Sequence, residues 1–406
     1  MGNVPHLRFP EFSGEWETKS INDLADVIGG GTPDTTVKSY WDGGIQWFTP
    51  SEIGKNKFVD ASLRTITEDG LNNSSAKLLP PNTILLSSRA TIGECSLSLR
   101  ECATNQGFQS LVSKKCNVDF LYYLIQTKKK DLIRKSCGST FLEISANEVR
   151  KIQVSVPSDV EQQKIAGLLS LIDKRIATQN KIIEDLKKLK SAIIDKSFCY
   201  PNESSPQKRF IGFTEEWHLV HLSDICQRVR TKNFNTQCTL VLTIAAQFGL
   251  VSQEEFFNKS VASDNLEGYY LLRKGDFAYN KSYSGDYAWG AVKRLECFSE
   301  GVLSPLYICF RPDTARIDSD FLAHYFESKK WYKGIADIAG EGARNHGLLN
   351  LSVIDYFKTL HRIPSIQEQK AIANALNKLT SKISIEKNLY DDLLLQRQHL
   401  LQQMFI

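Results

Sequence analysis

The sequence is poor in the features that mark membrane, secreted and redox proteins. No apolar run approaches the roughly 20 residues that a membrane helix needs, and residues 1–10 lack the apolar core of a signal peptide. The nine cysteines are scattered and form no C-x-x-C pair. We therefore expect a cytoplasmic chain with reduced, mostly buried thiols.

The excess of positive over negative charge is also small, since the formal net charge is only +4 over 406 residues. This balance is weak support for nucleic-acid binding, because DNA-binding domains often have a more basic surface. It allows DNA binding where cations cluster or where partner subunits supply phosphate contacts. Hydrophobic residues make up 42% of the chain and charged residues 24%, a composition typical of well-packed globular protein.

What the sequence does contain is an internal repeat. Residues 5–24 match residues 206–225 at an offset of 201, through Arg8 and Arg209, Phe9 and Phe210, Phe12 and Phe213, Glu15 and Glu216, Trp16 and Trp217, and Asp23 and Asp224. Residues 156–169 match residues 363–376 at an offset of 207, so that Pro157, Ser158, Glu161, Gln162, Ile165, Ala166 and Leu169 recur. A shared frame thus surrounds middles that differ in length and sequence. We expect one scaffold that presents two different surfaces.

Each half of the frame ends in a long predicted helix. Ser158 and Ser365 each follow a proline and precede a glutamate by three residues, which is the pattern of a capping box. From there to Phe198 and to Phe405 only Gly167 interrupts the helical pattern, so each helix has about 40 residues and spans about 60 Å. The predicted boundaries are 1–156 and 201–363 for two globular domains, and 157–200 and 364–406 for two helices.

Apolar residues recur every seven positions along both helices, which predicts a coiled-coil seam. Gln179 and Glu386 interrupt it at matching midpoints, so an antiparallel pair would let them hydrogen-bond and fix the register. Such pairing would relate the two domains by an approximate two-fold axis, which suits duplex DNA. The alternative is a single helix lying on a globular body. The predicted helix-pairing residues are Ile165, Ile172, Gln179, Leu186, Ile193, Ile372, Leu379, Glu386, Leu393 and Leu400.

The two middles, residues 15–155 and 216–362, predict mixed α/β domains. Short apolar runs at 83–87 and 307–310 predict strands, and helices are predicted at 119–135 and 320–333. The first of these helices ends in the basic cluster Lys128, Lys129, Lys130, Arg134 and Lys135. This cluster fits either a solvated helix end or phosphate contacts.

Several predicted loops combine aromatic, hydroxyl, amide and cationic side chains. Arginine can bind guanine bidentately, and asparagine or glutamine can bind adenine in the same way. Ordinary loop chemistry is the alternative at each position. The candidate DNA-binding residues are Trp47, Thr49, Ser51, Ser88, Arg89, Thr91, Asn105, Gln106, Lys281, Ser282, Tyr283, Arg344 and Asn345.

No catalytic motif that we considered is complete. Residues 80–82 do not supply the Asn-Pro-Pro-aromatic motif of an amino-methyltransferase, and His218 and His221 have no carboxylate or thiolate nearby to complete a metal site. Residues 312–313 and Glu327 imitate the carboxylates of a nuclease centre, but Glu327 falls in a helical pattern instead of a strand. We expect a non-catalytic chain without a metal site.

The motifs in their order resemble a known family. They are R-F-P-E-F-x-G-E-W at 8–16, then G-G-T-P and Y-W-x-G-x-I-x-W between residues 30 and 47, then P-x-x-x-E-Q-x-x-I at 157–165. This series, with its duplicated frame, resembles the specificity subunit of type I restriction-modification systems over essentially the whole chain. The second half has Arg228–Phe234 where the first has G-G-T-P, which implies a recognition domain of a different subtype.

The resemblance implies two target recognition domains, each reading one half of a split, asymmetric double-stranded DNA site. It implies that the paired helices set the spacer and dock two modification subunits, which hold S-adenosylmethionine and methylate adenine at N6. Restriction subunits would join them, and this chain would itself hold no cofactor. A two-headed coiled-coil scaffold for a non-DNA partner is the structural alternative. A nuclease or methyltransferase acting alone is the enzymatic alternative.

Overall fold

The structure, a computed structural model, describes residues 2–138, 142–245, 247–258, 265–282, 287–339 and 349–406. The chain forms two compact units. Unit 1 comprises Met1–Lys181 and Lys387–Ile406, and unit 2 comprises Ile182–Glu386. Two long helices, α6 (Asp159–Ser197) and α12 (Ile366–Gln403), each contribute one part to unit 1 and the other part to unit 2.

The remaining elements of unit 1 are short. Its strands are β1 (Glu17–Ser20), β2 (Ala25–Gly29), β3 (Trp41–Phe48), β4 (Phe58–Val59), β5 (Arg64–Ile66), β6 (Ile84–Leu86), β7 (Cys95–Ser98), β8 (Cys102–Thr104), β9 (Gln109–Ser113) and β10 (Gln153–Val156). Its helices are α1 (Ile21–Leu24), α2 (Glu68–Asn72), α3 (Val118–Thr127), α4 (Lys129–Arg134) and α5 (Ala146–Arg150).

Unit 2 follows a similar order of elements. Its strands are β11 (His218–His221), β12 (Cys226–Arg228), β13 (Leu242–Ala245), β14 (Gly249–Ser252), β15 (Tyr270–Arg273), β16 (Phe277–Asn280), β17 (Ala291–Arg294), β18 (Glu300–Leu303), β19 (Ile308–Pro312) and β20 (Leu360–Ile363). Its helices are α7 (Leu222–Ile225), α8 (Gln253–Phe257), α9 (Ser319–Glu327), α10 (Tyr332–Ile338) and α11 (Val353–Phe357). The mixed α/β class predicted for both middles is confirmed.

Both middles contain the same antiparallel core sheet, although their sequences differ. Its strand order is β2-β9-β6-β7 in unit 1 and β12-β19-β16-β17 in unit 2. Unit 1 adds β4 beside β7 and a three-stranded sheet of order β5-β3-β8, whereas unit 2 adds the pairs β13-β14 and β15-β18. The predicted strands at 83–87 and 307–310 are the central strand β6 and the central strand β19.

The repeated frame consists of matching strands and matching buried ion pairs. Strand β1 pairs with β10, and β11 pairs with β20, both antiparallel. Arg8 Nε lies 2.8 Å from Glu161 Oε1, and Arg209 Nη2 lies 2.6 Å from Glu368 Oε2. Because both glutamate side chains are only 2% exposed, the opposite charge of each arginine offsets the cost of removing the carboxylate from water. These glutamates therefore hold the frame together at the position where the sequence predicted a capping role.

A glutamine next to each of these glutamates ties a long helix to its globular domain. Gln162 Oε1 accepts the Asn117 amide at 3.0 Å, and Gln369 Oε1 accepts the Asp318 amide at 2.7 Å. Asn117 and Asp318 are the N-caps of α3 and α9. The first turn of each long helix is thereby fixed to the start of a domain helix in the same unit.

Each long helix has one row of residues at the seven-residue spacing, and every residue in this row is buried or half-buried, including the polar ones. The α6 seam is Gln162, Ile165, Leu169, Ile172, Ile176, Gln179, Ile183, Leu186, Lys190, Ile193 and Ser197. The α12 seam is Gln369, Ile372, Leu376, Leu379, Ile383, Glu386, Tyr390, Leu393, Arg397, Leu400 and Met404, the last just beyond the helix. The alternation of three- and four-residue steps is the coiled-coil spacing of 3.5 residues per turn. All ten predicted helix-pairing residues belong to these seams.

The helices pair antiparallel within each unit. In unit 1, Ile165 and Leu169 share a core with Met404, and Arg397 Nε lies 2.6 Å from Asp173 Oδ1. In unit 2, the end of α6 shares a core with the start of α12, through Ile194, Phe198, Ile372, Ala373 and Leu376. The predicted antiparallel pairing is therefore confirmed inside both units, and the hydrogen bond between Gln179 and Glu386 stays a prediction.

Each long helix is followed by a phenylalanine that fills the core of one unit. The Phe198 and Phe321 ring centroids lie 5.3 Å apart, and so do those of Phe405 and Phe120. The long helices end at Ser197 and Gln403, three residues before the predicted bounds of 200 and 406, and the predicted helices 119–135 and 320–333 each divide in two. The first breaks at Lys128, the residue shared by α3 and α4, and the second between Glu327 and Tyr332.

All nine cysteines are free thiols, and only Cys137 and Cys297 are exposed. Burial raises the pKa of Cys95, Cys102 and Cys309 to about 12, so these groups are protonated thiols at neutral pH. Within the described ranges, no helix combines the length and the apolar character that crossing a membrane requires.

Candidate nucleic-acid interface

The candidate residues of unit 1 collect at one end of its core sheet, which we call loop end 1. At this end β2 and β6 finish and β9 begins, because Gly29 pairs with Gln109 and Ser87 bridges Phe108. Strand β3 runs parallel to β8, and Phe48 lies opposite Thr104. The loops at 29–33, 49–52, 87–94 and 105–108 therefore converge, and they contain every candidate of unit 1 except Trp47.

Hydrogen bonds join these loops into a rigid surface. The Gly31 amide donates to Thr104 O at 2.8 Å, and the Ser88 amide donates to Gly107 O at 2.8 Å. Asn105 Oδ1 accepts the Gly107 amide at 2.9 Å, which closes a local turn. The exposed side chain of Gln106 accepts a hydrogen bond from Thr32 Oγ1. Loop end 1 thus presents an amide and a hydroxyl that hold each other in place.

Trp47 and Ser88 are buried, which corrects their prediction as DNA contacts. The Trp47 ring is 4% exposed, lies 5.1 Å from Trp41 centroid to centroid, and donates from Nε1 to Gly31 O at 2.9 Å. Ser88 is completely buried. Aromatic residues in a strand are more often packed than exposed. Trp47 therefore packs in the interior and holds the loop at 29–33 through Gly31, and it does not face a ligand. Neither residue belongs to the proposed surface.

The other candidates of unit 1 are exposed or half-exposed. Ser51 and Thr91 are exposed, and Arg89 is half-buried with Nη2 2.9 Å from Glu143 Oε2. Thr49 donates from Oγ1 to Glu52 Oε2 at 2.7 Å within a short capping box. Thr49 is therefore engaged in its own turn, while Ser51, Arg89 and Thr91 lie on the rim of loop end 1.

Unit 2 has the corresponding end, loop end 2, where β12 and β16 finish and β19 begins. Lys281 and Ser282 follow β16 here, in the connection equivalent to the one that contains Ser88, Arg89 and Thr91. The Ser282 amide donates to Asn280 Oδ1 at 3.0 Å, and the Leu349 amide donates to Lys281 O at 3.0 Å. The remaining candidates, Tyr283, Arg344 and Asn345, lie outside the described residues.

Polar contacts fix the orientation of the domain helix α3 within unit 1. Lys57 Nζ lies 2.7 Å from Asp119 Oδ1 and 3.0 Å from Tyr123 OH. Tyr123 OH donates to Asp173 Oδ2 at 2.5 Å, and Arg397 Nη2 donates to Gln126 Oε1 at 2.9 Å. All of these groups except Tyr123 line a cleft of about 890 Å³ between α3 and the long helices. Loop end 1 is thereby held at a fixed orientation to the helix segments of its own unit.

Unit 2 repeats this arrangement with different side chains. Arg294 Nη1 lies 2.6 Å from Asp320 Oδ1, and the His324 ring lies 2.8 Å from Asn377 Oδ1. Lys190 Nζ lies 2.9 Å from Glu327 Oε2. Glu327 is the last residue of helix α9, so it does not lie on a strand as the carboxylate of a nuclease centre would. Asp320, His324 and Glu327 correspond to Asp119, Tyr123 and Gln126 at the offset of 201, and Lys190 corresponds to Arg397 at the offset of 207. Both domain helices therefore contact their long helices from equivalent positions.

The basic cluster after α3 is only partly available for phosphate contacts. Lys128 Nζ donates to Ile406 O at 2.5 Å, and burial lowers the pKa of Lys128. Lys129 is paired with Glu94, and Arg134 Nη2 lies 2.8 Å from Asp131 Oδ1. Among the described residues, no group of three or more His, Cys, Asp or Glu side chains is arranged to hold a metal ion.

Sequence reasoning missed two features of the loop ends. It gave residues 29–33 no binding role, although Thr32 supports Gln106. It also treated Arg228–Phe234 only as a sign of a different subtype and gave residues 230–237 no binding role. These residues follow β12 as residues 29–36 follow β2.

The chain is similar to known proteins in sequence and in fold. Residues 13–188 match the model of the type I restriction modification DNA specificity domain. The type I restriction enzyme MjaIX specificity subunit of Methanocaldococcus jannaschii is 35% identical over 227 residues, which are 52% of this chain and 51% of that protein. The chain thus spans about half the length of this relative.

Two further proteins are similar over nearly the whole chain. The MjaVIII specificity subunit of the same organism is 22% identical over 402 residues, covering 94% of this chain and 89% of that protein. The crystal structure of the type I restriction-modification system S subunit from M. genitalium covers 99% of both chains with a TM-score of 0.56 and 17% identity. The second likeness concerns the fold alone.

Proposed function

We propose that the chain is a type I restriction-modification specificity subunit and that it supplies the DNA-sequence specificity of such a complex. Each unit would read one half of a bipartite, asymmetric site in double-stranded DNA. The chain is non-catalytic in this proposal. Adenine-N6 methylation and any cleavage belong to modification subunits, which hold S-adenosylmethionine, and to restriction subunits.

One observation supports this proposal most directly: the two units share a frame and a core sheet, yet their loop ends differ. The ion pairs Arg8–Glu161 and Arg209–Glu368 hold the same scaffold in both units. Loop end 1 presents Thr32 and Gln106. Loop end 2 presents the exposed cations Arg230 and Lys232 and the exposed ring of Phe234. A duplicated scaffold with unlike binding ends is what reading two unlike half-sites requires.

The domain boundaries follow from the same proposal. Residues 1–156 and 201–363 would be the target recognition domains, and residues 157–200 and 364–406 the helices that set the spacer and dock the modification subunits. In unit 1 the proposed DNA contacts are Ser51, Arg89, Thr91, Asn105 and Gln106. Lys281 and Ser282 are the described contacts proposed for unit 2, and Tyr283, Arg344 and Asn345 remain proposed from sequence.

DNA binding tests this proposal. The chain, purified with the modification subunits of its system, is expected to bind duplex DNA that contains its target more tightly than scrambled duplex of equal length. Affinity should fall steeply as salt rises, because phosphate contacts release counterions. The variant Gln106→Ala should weaken target binding, while Glu17→Ala, a change at an exposed residue of the frame, should not.

A two-headed scaffold for a non-DNA partner predicts a different result. The assembled complex would then show equal, salt-insensitive affinity for target and scrambled duplexes. A nuclease or methyltransferase acting alone predicts activity of the purified chain without partner subunits. Either result would contradict the proposal.

A further inference from the structure

The segment Arg230–Gln237, which we call the β12 loop, has an unusual backbone at its tip. Asn235 adopts φ 53° and ψ 28°, and Thr236 adopts φ 50°. The left-handed region is uncommon for residues other than glycine and is unfavourable for a β-branched side chain such as threonine. A strained conformation persists only where its surroundings impose it, and such strain is concentrated at binding sites.

Buried hydrogen bonds impose this conformation. Asn233 is completely buried, and its Nδ2 donates to Cys238 O at 2.8 Å while its Oδ1 accepts the Cys238 amide at 3.0 Å. The Asn233 amide donates to Tyr269 O at 3.1 Å. The base of the β12 loop is thus closed by one side chain, and the residues between Asn233 and Cys238 are held away from the core.

The residue presented by this closed loop is an aromatic ring. Phe234 is 73% exposed, whereas the loop base rests on a small apolar cluster that contains Cys238 and Leu271. Exposing a phenylalanine forfeits the free energy of its burial. A rigid, strained loop that holds such a ring in solvent is therefore better explained by a ligand than by folding.

Cations precede the ring on the same extended segment. Arg228, Arg230 and Lys232 are exposed and alternate with the buried Val229 and with Thr231. Alternate side chains of an extended strand lie on one face about 6.6 Å apart. Arg228 Nη2 donates to Tyr270 OH at 3.3 Å, and Lys232 Nζ lies 3.9 Å from the centroid of the same ring. Tyr270 therefore orders two of the three cations, and Lys232 Nζ also donates to Gly268 O at 2.6 Å.

We propose that the β12 loop, with Arg228 at the end of the preceding strand, is a duplex-DNA contact of unit 2. Arg228, Arg230 and Lys232 bind phosphates, and Phe234 packs against bases. The proposal rests on the proposed function and names the element that performs it in this unit. Alternating cations and an exposed aromatic ring match the two parts of DNA, a charged backbone and stacked apolar bases. The loop also stands where loop end 1 has Thr32 and Gln106, so the two units would read DNA by different chemistry.

The test uses the complex of the full chain with its modification subunits and a duplex carrying the target that methylation mapping identifies. We expect Phe234→Ala to weaken binding about ten- to a hundredfold, since one base–aromatic contact is worth that much. Phe234→Trp should retain affinity within about threefold, because it keeps an aromatic ring. Ile211→Ala, a matched control at a fully exposed apolar residue of the same unit, should bind as wild type does.

Two further readouts separate a DNA contact from a structural effect. Phe234→Ala should relax discrimination between single-base variants of one half-site only and should leave the thermal midpoint unchanged, because the side chain is exposed. Arg230→Gln should reduce the slope of log affinity against log salt by about one, as loss of one phosphate contact does. Lys208→Gln, at another exposed cation of unit 2, should leave that slope unchanged.

The outcomes separate the assignment of the β12 loop from the proposed function on which it rests. A wild-type complex that binds its target normally, together with Phe234→Ala binding and discriminating as Ile211→Ala does, overturns the assignment of the β12 loop alone. A wild-type complex without sequence-specific binding contradicts the proposed function and this assignment with it.

Discussion

At the residue scale, a few buried polar groups determine how each unit is assembled. Glu161 and Glu368 are shielded from water and bound by Arg8 and Arg209. The sequence indicated that both the arginines and the glutamates recur. It did not show that each arginine contacts a glutamate, because the two residues of a pair are 153 or 159 positions apart. The ion pairs form because β1 and β10, and likewise β11 and β20, bring the two ends of each globular domain together.

Removing one member of such a pair should be costly. We expect Arg209→Met to lower the free energy of unfolding by about 3 kcal/mol, because it leaves the Glu368 carboxylate buried without a counter-charge. The double variant Arg209→Met with Glu368→Met should recover much of this loss. Lys19→Met, in an exposed pair with Glu17, should cost less than about 1 kcal/mol. Denaturant titration measures all three, and equal costs for the buried and exposed pairs would contradict the account.

His361 should make folding stability depend on pH. Burial, with a smaller effect from His221, lowers the pKa of His361 to about 3, and the ring is hydrogen-bonded to Tyr325 OH and Thr359 Oγ1. The unfolded chain binds this proton near pH 6.5, so the contribution is complete above that pH and is lost as pH falls from 6.5 towards 3. His361→Gln should show a shallower loss between pH 6.5 and 4.5, whereas parallel curves would show that His361 is not responsible.

At the scale of elements, long periodic segments were predictable and short strands in loops were not. The helices α6 and α12 follow from dozens of residues that repeat one apolar spacing, so tertiary contacts do not override the pattern. The common core sheet was not predicted as a whole, because strands such as β12 and β16 are only three or four residues long. The matching strands β6 and β16 are both largely buried but do not share their sequence. Trp47 was misassigned for a related reason, since sequence alone does not reveal which side of β3 faces the core.

The ends of the long helices should stabilise one unit each. We expect Phe405→Ala to lower the free energy of unfolding of unit 1, and Phe198→Ala that of unit 2, each by about 3–5 kcal/mol through loss of a buried ring. Hydrogen-exchange mass spectrometry checks this, because amides of the affected unit should lose protection while those of the other unit keep it. Ile406→Ala, at a residue that is 40% exposed, is the control. Equal loss of protection in both units after Phe405→Ala would refute the assignment.

At the scale of the whole molecule, the two units share a duplicated frame and differ at their loop ends. The frame offsets of 201 and 207 match ion pairs, glutamine tethers and core phenylalanines between the units, while Gln106 in one unit and the β12 loop in the other have no such match. The sequence established the frame and the family resemblance. It did not show how the loops converge, because convergence depends on strand order and register.

We propose that this chain determines which DNA sequence its partners modify. The most direct measurement is a genome-wide map of N6-methyladenine in cells that contain the modification subunits, with and without this gene, and with residues 15–150 exchanged for those of another family member. We predict one two-part motif that requires the gene, and a change in one half of that motif only after the exchange. A motif that persists without the gene, or an exchange that alters both halves, would contradict the account.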